Sequence, residues 1–155
     1  MDYQKVELAI LCADNLKDVR HLARMQTYAK VWVDPNVKYT TNLNELNGVN
    51  PVWKDKFVLL IPTRPLDTDC LTIEIHTSSF TGNRLVGRVQ ISLLDILQPN
   101  QTPNIKKQGN TYYANYSIQD QGRLYISFCL MDKVKGAPEA LPNPRPKSLH
   151  VAFQS

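Results

Sequence analysis

The chain has 155 residues, of which 43% are hydrophobic and 21% are charged, a composition that suits one globular domain with a modest tail. Its formal net charge of +4 is too mild to indicate a nucleic-acid or membrane surface by itself. No apolar run reaches the roughly 18 residues of a membrane span. The N-terminal residues do not resemble a secretory signal, and Cys12, Cys70 and Cys129 are widely spaced, so we expect a cytoplasmic protein with reduced thiols.

Alternating apolar and polar residues predict short β-strands along most of the chain. In chain order, the predicted strands are 6–12, 28–33, 38–41, 56–61, 71–76, 89–93, 110–118 and 124–130. One short helical turn is predicted near 93–97, and Pro99 ends it. Many short strands separated by turn clusters predict an all-β fold, an eight-stranded antiparallel β-sandwich.

The composition changes after residue 131. Prolines stand at positions 138, 142, 144 and 146, beside lysines and arginines. Because proline lacks a backbone donor and fixes φ, this segment is not expected to add central strands. We therefore predict a folded domain over 1–131 and an extended Pro-rich basic tail over 132–155, with residues 149–153 as an alternative edge strand.

Four segments have the order and spacing of one family's motifs. They are residues 13–17 after an apolar strand, 24–31, 50–57, and 71–75 followed by 85–87. Together they resemble the C2 domain family, and most closely the small plant proteins built from a single C2 domain and a variable tail. The resemblance implies a C2-type sandwich that acts in the cytoplasm and peripherally at the plasma membrane, in plant stress or immune signalling.

The calcium positions of the family hold no acidic residue in this sequence. Calcium-binding C2 domains supply aspartates from two loops, and by position these fall on Arg20, Gln26, His76, Ser78 and Arg84. Calcium takes six to eight oxygen ligands, several of them carboxylates, and two arginines repel a divalent cation. His76 can also become cationic. We therefore expect a calcium-independent domain without metal or other cofactor.

Two groups of residues are candidates for contact with anionic phospholipid. The first lies on the predicted loops and consists of Arg20, His21, Leu22, Arg24, Phe80 and Arg84. The second, Lys30, Lys38, Lys54 and Lys56, follows the second to fourth predicted strands and is expected to form a basic sheet face. The alternative is that the arginines are merely solvated, that Leu22 and Phe80 pack inward, and that the lysines only prevent edge aggregation.

No motif of an enzyme is present. The three histidines lack metal-ligand spacing, no cysteine has a recognisable base, and there is no Gly-rich phosphate loop or Ser-centred elbow. The leading hypothesis is an adaptor that binds an anionic phospholipid membrane and a signalling protein. The alternative is a protein-interaction module without lipid binding. An RNA-binding protein that stacks bases on Tyr112, Tyr113 and Tyr116 beside Lys106 and Lys107 ranks last.

Overall fold

Two antiparallel sheets form the domain. The computed structural model describes residues 2–20, 24–79 and 82–136. Sheet A contains, in spatial order, β4 (Val52–Pro62), β1 (Asp2–Asp14), β9 (Arg123–Lys135), β8 (Thr111–Ser117) and β7 (Ile105–Gln108). Sheet B contains β3 (Tyr39–Thr40), β2 (Thr27–Trp32), β5 (Cys70–Thr77) and β6 (Arg84–Ser92). The predicted all-β antiparallel sandwich is confirmed.

Alternation along the strands places the core between the two sheets. In β1, Leu8 and Ile10 are buried, and the pattern continues in β9 with Ile126 and Phe128. From sheet B, Leu71, Ile73 and Ile75 of β5 close the other side of the core. Each strand therefore buries one face and leaves the other for solvent or partners.

The predicted helical turn is confirmed as α1 (Leu93–Leu97), which directly follows β6. The Ser92 hydroxyl accepts a hydrogen bond from the backbone N–H of Leu94 at 3.3 Å and so caps the first turn. Leu93 and Ile96 are buried against the sandwich. A short 3-10 turn, Pro99–Gln101, then leads to β7.

The described residues form nine strands, one more than the eight expected. The additional strand is β7, which pairs with β8 at the edge of sheet A. It has four residues, and only Ile105 among them is apolar. A strand this short at an edge has no alternating pattern, so periodicity missed it.

The predicted boundary after residue 131 falls inside β9. This strand continues to Lys135 because its last residues pair with the start of β1: Lys133 with Gln4, Val134 with Tyr3 and Lys135 with Asp2. Residues 132–135 therefore belong to sheet A. The prolines of the predicted tail lie outside the described residues.

At Gly87 in β6, the side chain of Ile118 comes very close to the backbone. A glycine within a strand often marks such a close approach. A Cβ atom at this position would lie 2.3 Å from Cγ2 of Ile118. The register of the β5–β6 pair also shifts here, between Ile75 and His76. Only glycine lets the turn between β8 and β9 pack this closely on sheet B.

Candidate functional site

Four connections converge at one end of the sandwich, which we call the loop end. They join β1 to β2, β3 to β4, β5 to β6, and β8 to β9. The described parts of the first three are loop 1 (residues 15–20 and 24–26), loop 2 (41–51) and loop 3 (78–79 and 82–83). This grouping follows from the register, since Thr77 pairs with both Thr27 and Arg84, and Asp14 pairs with Arg123.

Backbone hydrogen bonds join loop 1 to its neighbours. The N–H of Leu16 donates to the carbonyl oxygen of Val49 at 3.0 Å. The N–H of Asn15 donates to Oδ1 of Asn50 at 2.9 Å. Loop 1 is therefore attached to loop 2 near its start.

Two arginines connect loop 1 with loop 3 in opposite directions. Arg20 Nη1 donates to the carbonyl oxygen of Ser78 at 3.0 Å. Arg84 Nη1, at the start of β6, donates to the carbonyl oxygen of Val19 at 3.0 Å. Hydrogen bonds from a charged donor are about twice as strong as neutral ones. These two guanidinium groups therefore fasten the two loops together.

A third arginine connects loop 1 with loop 2. Arg24 Nη1 donates to the carbonyl oxygen of Leu46 at 2.7 Å. Its aliphatic part passes over Gly48, where an added Cβ would lie 3.2 Å from Arg24 Cγ. We call the three bonds made by Arg20, Arg24 and Arg84 the guanidinium clips.

The guanidinium clips leave the positive charge of the loop end available. None of the three arginines forms an ion pair with a carboxylate among the residues that the structure describes. A guanidinium has five N–H donors, so one bond to a carbonyl leaves others for an external oxygen. The site thus offers donors to an anionic oxygen while its loops stay connected.

The residues at the family's calcium positions do not fit calcium. Arg20 and Arg84 are cations, and Gln26 and Ser78 have neutral side chains that bring no carboxylate. The backbones of these two residues are joined, since the N–H of Ser78 donates to the carbonyl of Gln26 at 2.9 Å. Within residues 2–20, 24–79 and 82–136, no three His, Cys, Asp or Glu side chains lie close enough to hold a metal ion. Calcium prefers several carboxylate oxygens, and this donor set does not offer them.

The two carboxylates of loop 1 and its preceding strand have other partners. Asp18 Oδ1 accepts a hydrogen bond from the backbone N–H of Arg20 at 2.9 Å, which shapes the turn before the clip. Asp14 Oδ2 accepts a hydrogen bond from the hydroxyl of Tyr125 at 2.9 Å. Both carboxylates therefore stabilise the local structure, and neither belongs to a cluster of possible metal ligands among the described residues.

The surroundings of His76 disfavour its cationic form. It lies on the outer face of sheet B, where its ring stacks on Tyr28 with the centroids 5.5 Å apart. Burial lowers the pKa of His76; the contact with Glu74 at 3.1 Å opposes this, while Lys30 and Arg88 lower it further. The lowered pKa disfavours the cationic form of the ring, so we do not count His76 among the cations of the loop end.

Two of the four lysines of the predicted basic face lie on sheet B. Lys30 lies in β2 and faces outward, because its neighbours Ala29 and Val31 are fully buried. Lys38 precedes β3, and its Nζ lies 4.3 Å from the centre of the Trp32 ring. Lys30, Trp32 and Lys38 thus form a small basic and aromatic area on the outer face of sheet B.

The other two lysines lie on sheet A, so the four do not form a single face. Lys54 and Lys56 point outward from β4, while Asp55 between them is buried. Lys56 Nζ lies 3.7 Å from Oε1 of Glu7, which partly neutralises it. The chain crosses from sheet B to sheet A through loop 2, and sequence spacing alone did not reveal this crossing.

An exposed leucine on loop 2 was missing from the predicted site. Leu46 is 74% exposed beside the Arg24 clip. The predicted loop residues His21, Leu22 and Phe80 lie outside the described residues. Only one weak feature of the sequence indicated that Leu46 belongs to the site: it is an apolar residue within a polar turn segment that ends at Pro51.

The three tyrosines considered for base stacking do not share a surface. The ring of Tyr112 packs on Phe128 in the core, with the centroids 5.3 Å apart. The hydroxyl of Tyr116 is buried, and burial raises its pKa to about 12. Only Tyr113, which is 43% exposed, faces outward.

Comparison with known proteins places the chain in one family. The model of the C2 domain matches residues 4–108. The chain is similar to BON1-associated protein 2 from Arabidopsis thaliana, at 25% identity over 76% of this chain and 55% of that protein. It is also similar to a calcium-dependent lipid-binding protein from the same plant, at 29% identity over 57% of this chain and 17% of that protein. The chain thus spans about half of the first relative and a small part of the second.

Solved structures agree on the fold. A C2 domain of plant extended synaptotagmin 1 superimposes with a TM-score of 0.62, at 14% identity, over 82% of this chain and 93% of that one. In the described part of the chain, no helix has the length and apolar character that a membrane span requires. From the matched family model and the two-sheet sandwich together, the chain belongs to the C2 domain family.

Proposed function

We propose that this C2 domain is a calcium-independent binding module that docks on anionic phospholipid membranes through its loop end. The observation that carries the proposal is the set of guanidinium clips, Arg20 to Ser78, Arg84 to Val19 and Arg24 to Leu46. In calcium-binding relatives, the metal joins the loops and attracts anionic lipid. Here the three arginines perform both tasks without a metal.

The chemistry of the loop end supports phospholipid as the ligand. Arginine is suited to phosphate because its planar donors match the phosphate oxygens. Each cation near an anionic membrane contributes about 1 kcal/mol. Leu46 offers an exposed apolar side chain beside Arg24 for insertion below the headgroups. The similarity to a calcium-dependent lipid-binding protein supports the same ligand class.

The cellular setting is part of the proposal. The resemblance to small plant C2 proteins supports a cytoplasmic protein that is peripheral at the plasma membrane and acts in stress or immune signalling. The relative named BON1-associated protein 2 supports a protein partner in addition to lipid. We propose a binding module rather than an enzyme, because the residues at the loop end serve contact and not catalysis.

A liposome flotation assay tests this proposal. The full chain should float with phosphatidylserine vesicles at low salt, equally with millimolar calcium and with a chelator. Added salt should release it, because exposed charges are screened over about 8 Å at physiological ionic strength. Failure to float at low salt would contradict membrane docking and favour the protein-interaction alternative.

Calcium should also leave the stability of the protein unchanged. A ligand raises the melting temperature only when it binds the native state preferentially. We therefore expect the same melting temperature, within about 1 °C, in millimolar calcium and in chelator. A rise of several degrees that chelator reverses would show a calcium site and disprove calcium independence.

A further inference from the structure

A groove on the outer face of sheet A is separate from the loop arginines and from the lysines of sheet B. Its volume is about 290 Å³, and the residues that line it include Leu11, Asn104, Lys106, Tyr113, Asn115 and Tyr125. This volume is just below the range of about 300–1,000 Å³ that is typical of ligand pockets. The groove crosses β7, β8, β9 and β1, so it lies on the face of the sheet and not along an edge.

Two tyrosine rings form the walls of the groove. Asn115 pairs with Tyr125, and Tyr113 pairs with Ser127. Tyr113 and Tyr125 are therefore diagonal neighbours on the same face, a separation of about 7–8 Å across adjacent strands. Tyr113 is 43% exposed. The two aromatic side chains therefore stand near each other on the outer face and border the groove.

The walls are held in place before any ligand arrives. The Tyr125 hydroxyl donates to Asp14 Oδ2 at 2.9 Å, which fixes the ring. Arg123 Nη1 donates to Asn115 Oδ1 at 2.7 Å, which fixes the orientation of that amide. A preorganised site loses less entropy when it binds a ligand.

Three donor groups of the groove remain available. The side-chain N–H₂ of Asn115, the hydroxyl of Tyr113 and the ammonium group of Lys106 have no hydrogen-bond or ion-pair partner in the described parts of the chain. The groove thus combines apolar aromatic walls with donors and one positive charge. A suitable occupant has exposed carbonyl groups, compact apolar side chains and a negative charge.

We propose that this groove binds a polyproline II segment of a partner protein that carries an acidic residue beside its prolines. A polyproline II segment has no internal hydrogen bonds, so its carbonyls are free to accept from Asn115 and Tyr113. Proline-rich segments bind in grooves lined by aromatic residues. Lys106 at one end selects an acidic neighbour through charge complementarity.

Other occupants fit the groove less well. An added β-strand requires an open sheet edge, and this groove lies across a face. A helix requires a longer apolar groove for anchors at i, i+3, i+4 and i+7. This chain's own C-terminal segment has Glu139 beside Pro138, but it also has Arg145 and Lys147 beside Pro144 and Pro146. Its net charge is therefore positive, and Lys106 would repel it. A separate, acidic partner is therefore favoured.

Peptide binding to the full chain tests the inference. The probe is a fluorescent nine-residue peptide of three Pro-Pro-Asp repeats, and the comparison peptides contain Pro-Pro-Lys or Gly-Ser-Asp repeats. We expect the Pro-Pro-Asp peptide to bind with a Kd below about 1 mM and at least tenfold more tightly than the other two. Amide NMR signals of residues 104–106 and 113–115 should shift.

Variants locate the binding surface. Tyr113→Ala should weaken binding of the Pro-Pro-Asp peptide at least tenfold, and Lys106→Glu should reverse the preference toward Pro-Pro-Lys. Lys30→Glu, which makes the same charge change on sheet B, is the matched control and should bind like the wild type. Each variant is first checked for an unchanged melting temperature.

Several outcomes would overturn the inference. They are the absence of binding at about 1 mM, equal binding of the Gly-Ser-Asp peptide, and an equal effect of Lys30→Glu and Lys106→Glu. Tighter binding of a single-stranded oligouridine at Tyr113 would identify the groove as a base-stacking surface and would also refute the peptide proposal.

Discussion

Replacing the three loop arginines by glutamine should nearly abolish membrane binding. The variant carries Arg20→Gln, Arg24→Gln and Arg84→Gln, which lowers the formal net charge from +4 to +1. At about 1 kcal/mol for each cation near an anionic surface, the loss is about 3 kcal/mol. This corresponds to roughly a hundredfold weaker partitioning onto phosphatidylserine vesicles. Flotation over a range of lipid concentrations measures this partitioning.

A lysine version of the same variant separates charge from the clips. Arg20→Lys, Arg24→Lys and Arg84→Lys keep the net charge of +4. A lysine presents a compact ammonium on a flexible stem, which does not reproduce the planar donor geometry of arginine. Each lost clip costs about 0.5–1.5 kcal/mol of loop ordering. We expect partitioning about tenfold weaker than wild type and more mobile amides in loops 1 and 3.

A matched control removes three cations from a different surface. Lys54→Gln, Lys56→Gln and Lys106→Gln also lower the net charge to +1, but these residues lie on the outer face of sheet A. We expect this variant to lose less than tenfold in partitioning. Equal losses in the loop and sheet variants would refute docking through the loop end. A lysine version that floats like wild type would refute a structural role for the clips.

Three further predictions concern the stability of the fold. Because the pKa of His76 is lower in the folded state, the unfolded chain binds a proton at this residue more readily. His76 should therefore destabilise the protein as pH falls below about 6.5. In His76→Gln, the free energy of unfolding between pH 7 and 5.5 should depend less on pH. Gly87→Ala should cost about 1–3 kcal/mol of unfolding free energy in urea melts, because the new Cβ overlaps Ile118. Ile118→Ala alone should also destabilise the fold, since Ile118 is buried, but Gly87→Ala should cost less in that background than in the wild type; an equal cost in both backgrounds would contradict the overlap as the cause. Truncation after Gly136 should leave the free energy of unfolding in urea nearly unchanged. Truncation after Met131 removes the end of β9 and should lower that free energy by about 1–3 kcal/mol. Equal unfolding curves for the two truncated proteins would place the domain boundary at residue 131.

The fold could be predicted largely because alternation and motifs agree. Strands such as β4 and β5 have regular apolar positions and a length that periodicity detects. The missed strand, β7, has only Ile105 as an inward apolar residue. The end of β9 was missed because Lys133 and Lys135 are charged, although their backbone pairs with β1. Backbone pairing at a sheet end thus leaves no side-chain pattern.

The candidate site could be predicted only in part. The positions of the loop residues followed from the family motifs, but the guanidinium clips could not, since Arg20 and Ser78 are 58 residues apart in sequence. Period-two spacing correctly placed Lys54 and Lys56 on one face. It did not reveal that Lys30 lies on the other sheet, because that depends on how loop 2 crosses the sandwich.

Membrane docking that depends on the guanidinium clips is regulated differently from docking that depends on a metal site. A calcium cage forms only when the ion is present, so lipid binding follows the calcium concentration. Arginine stays charged at any physiological pH, and burial lowers the pKa of His76, which disfavours its cationic form. The docking surface that we propose for Arg20, Arg24 and Arg84 would therefore be assembled at any calcium concentration. Under this proposal, regulation would come from the amount of anionic lipid in the membrane, from salt, or from a partner bound elsewhere on the domain.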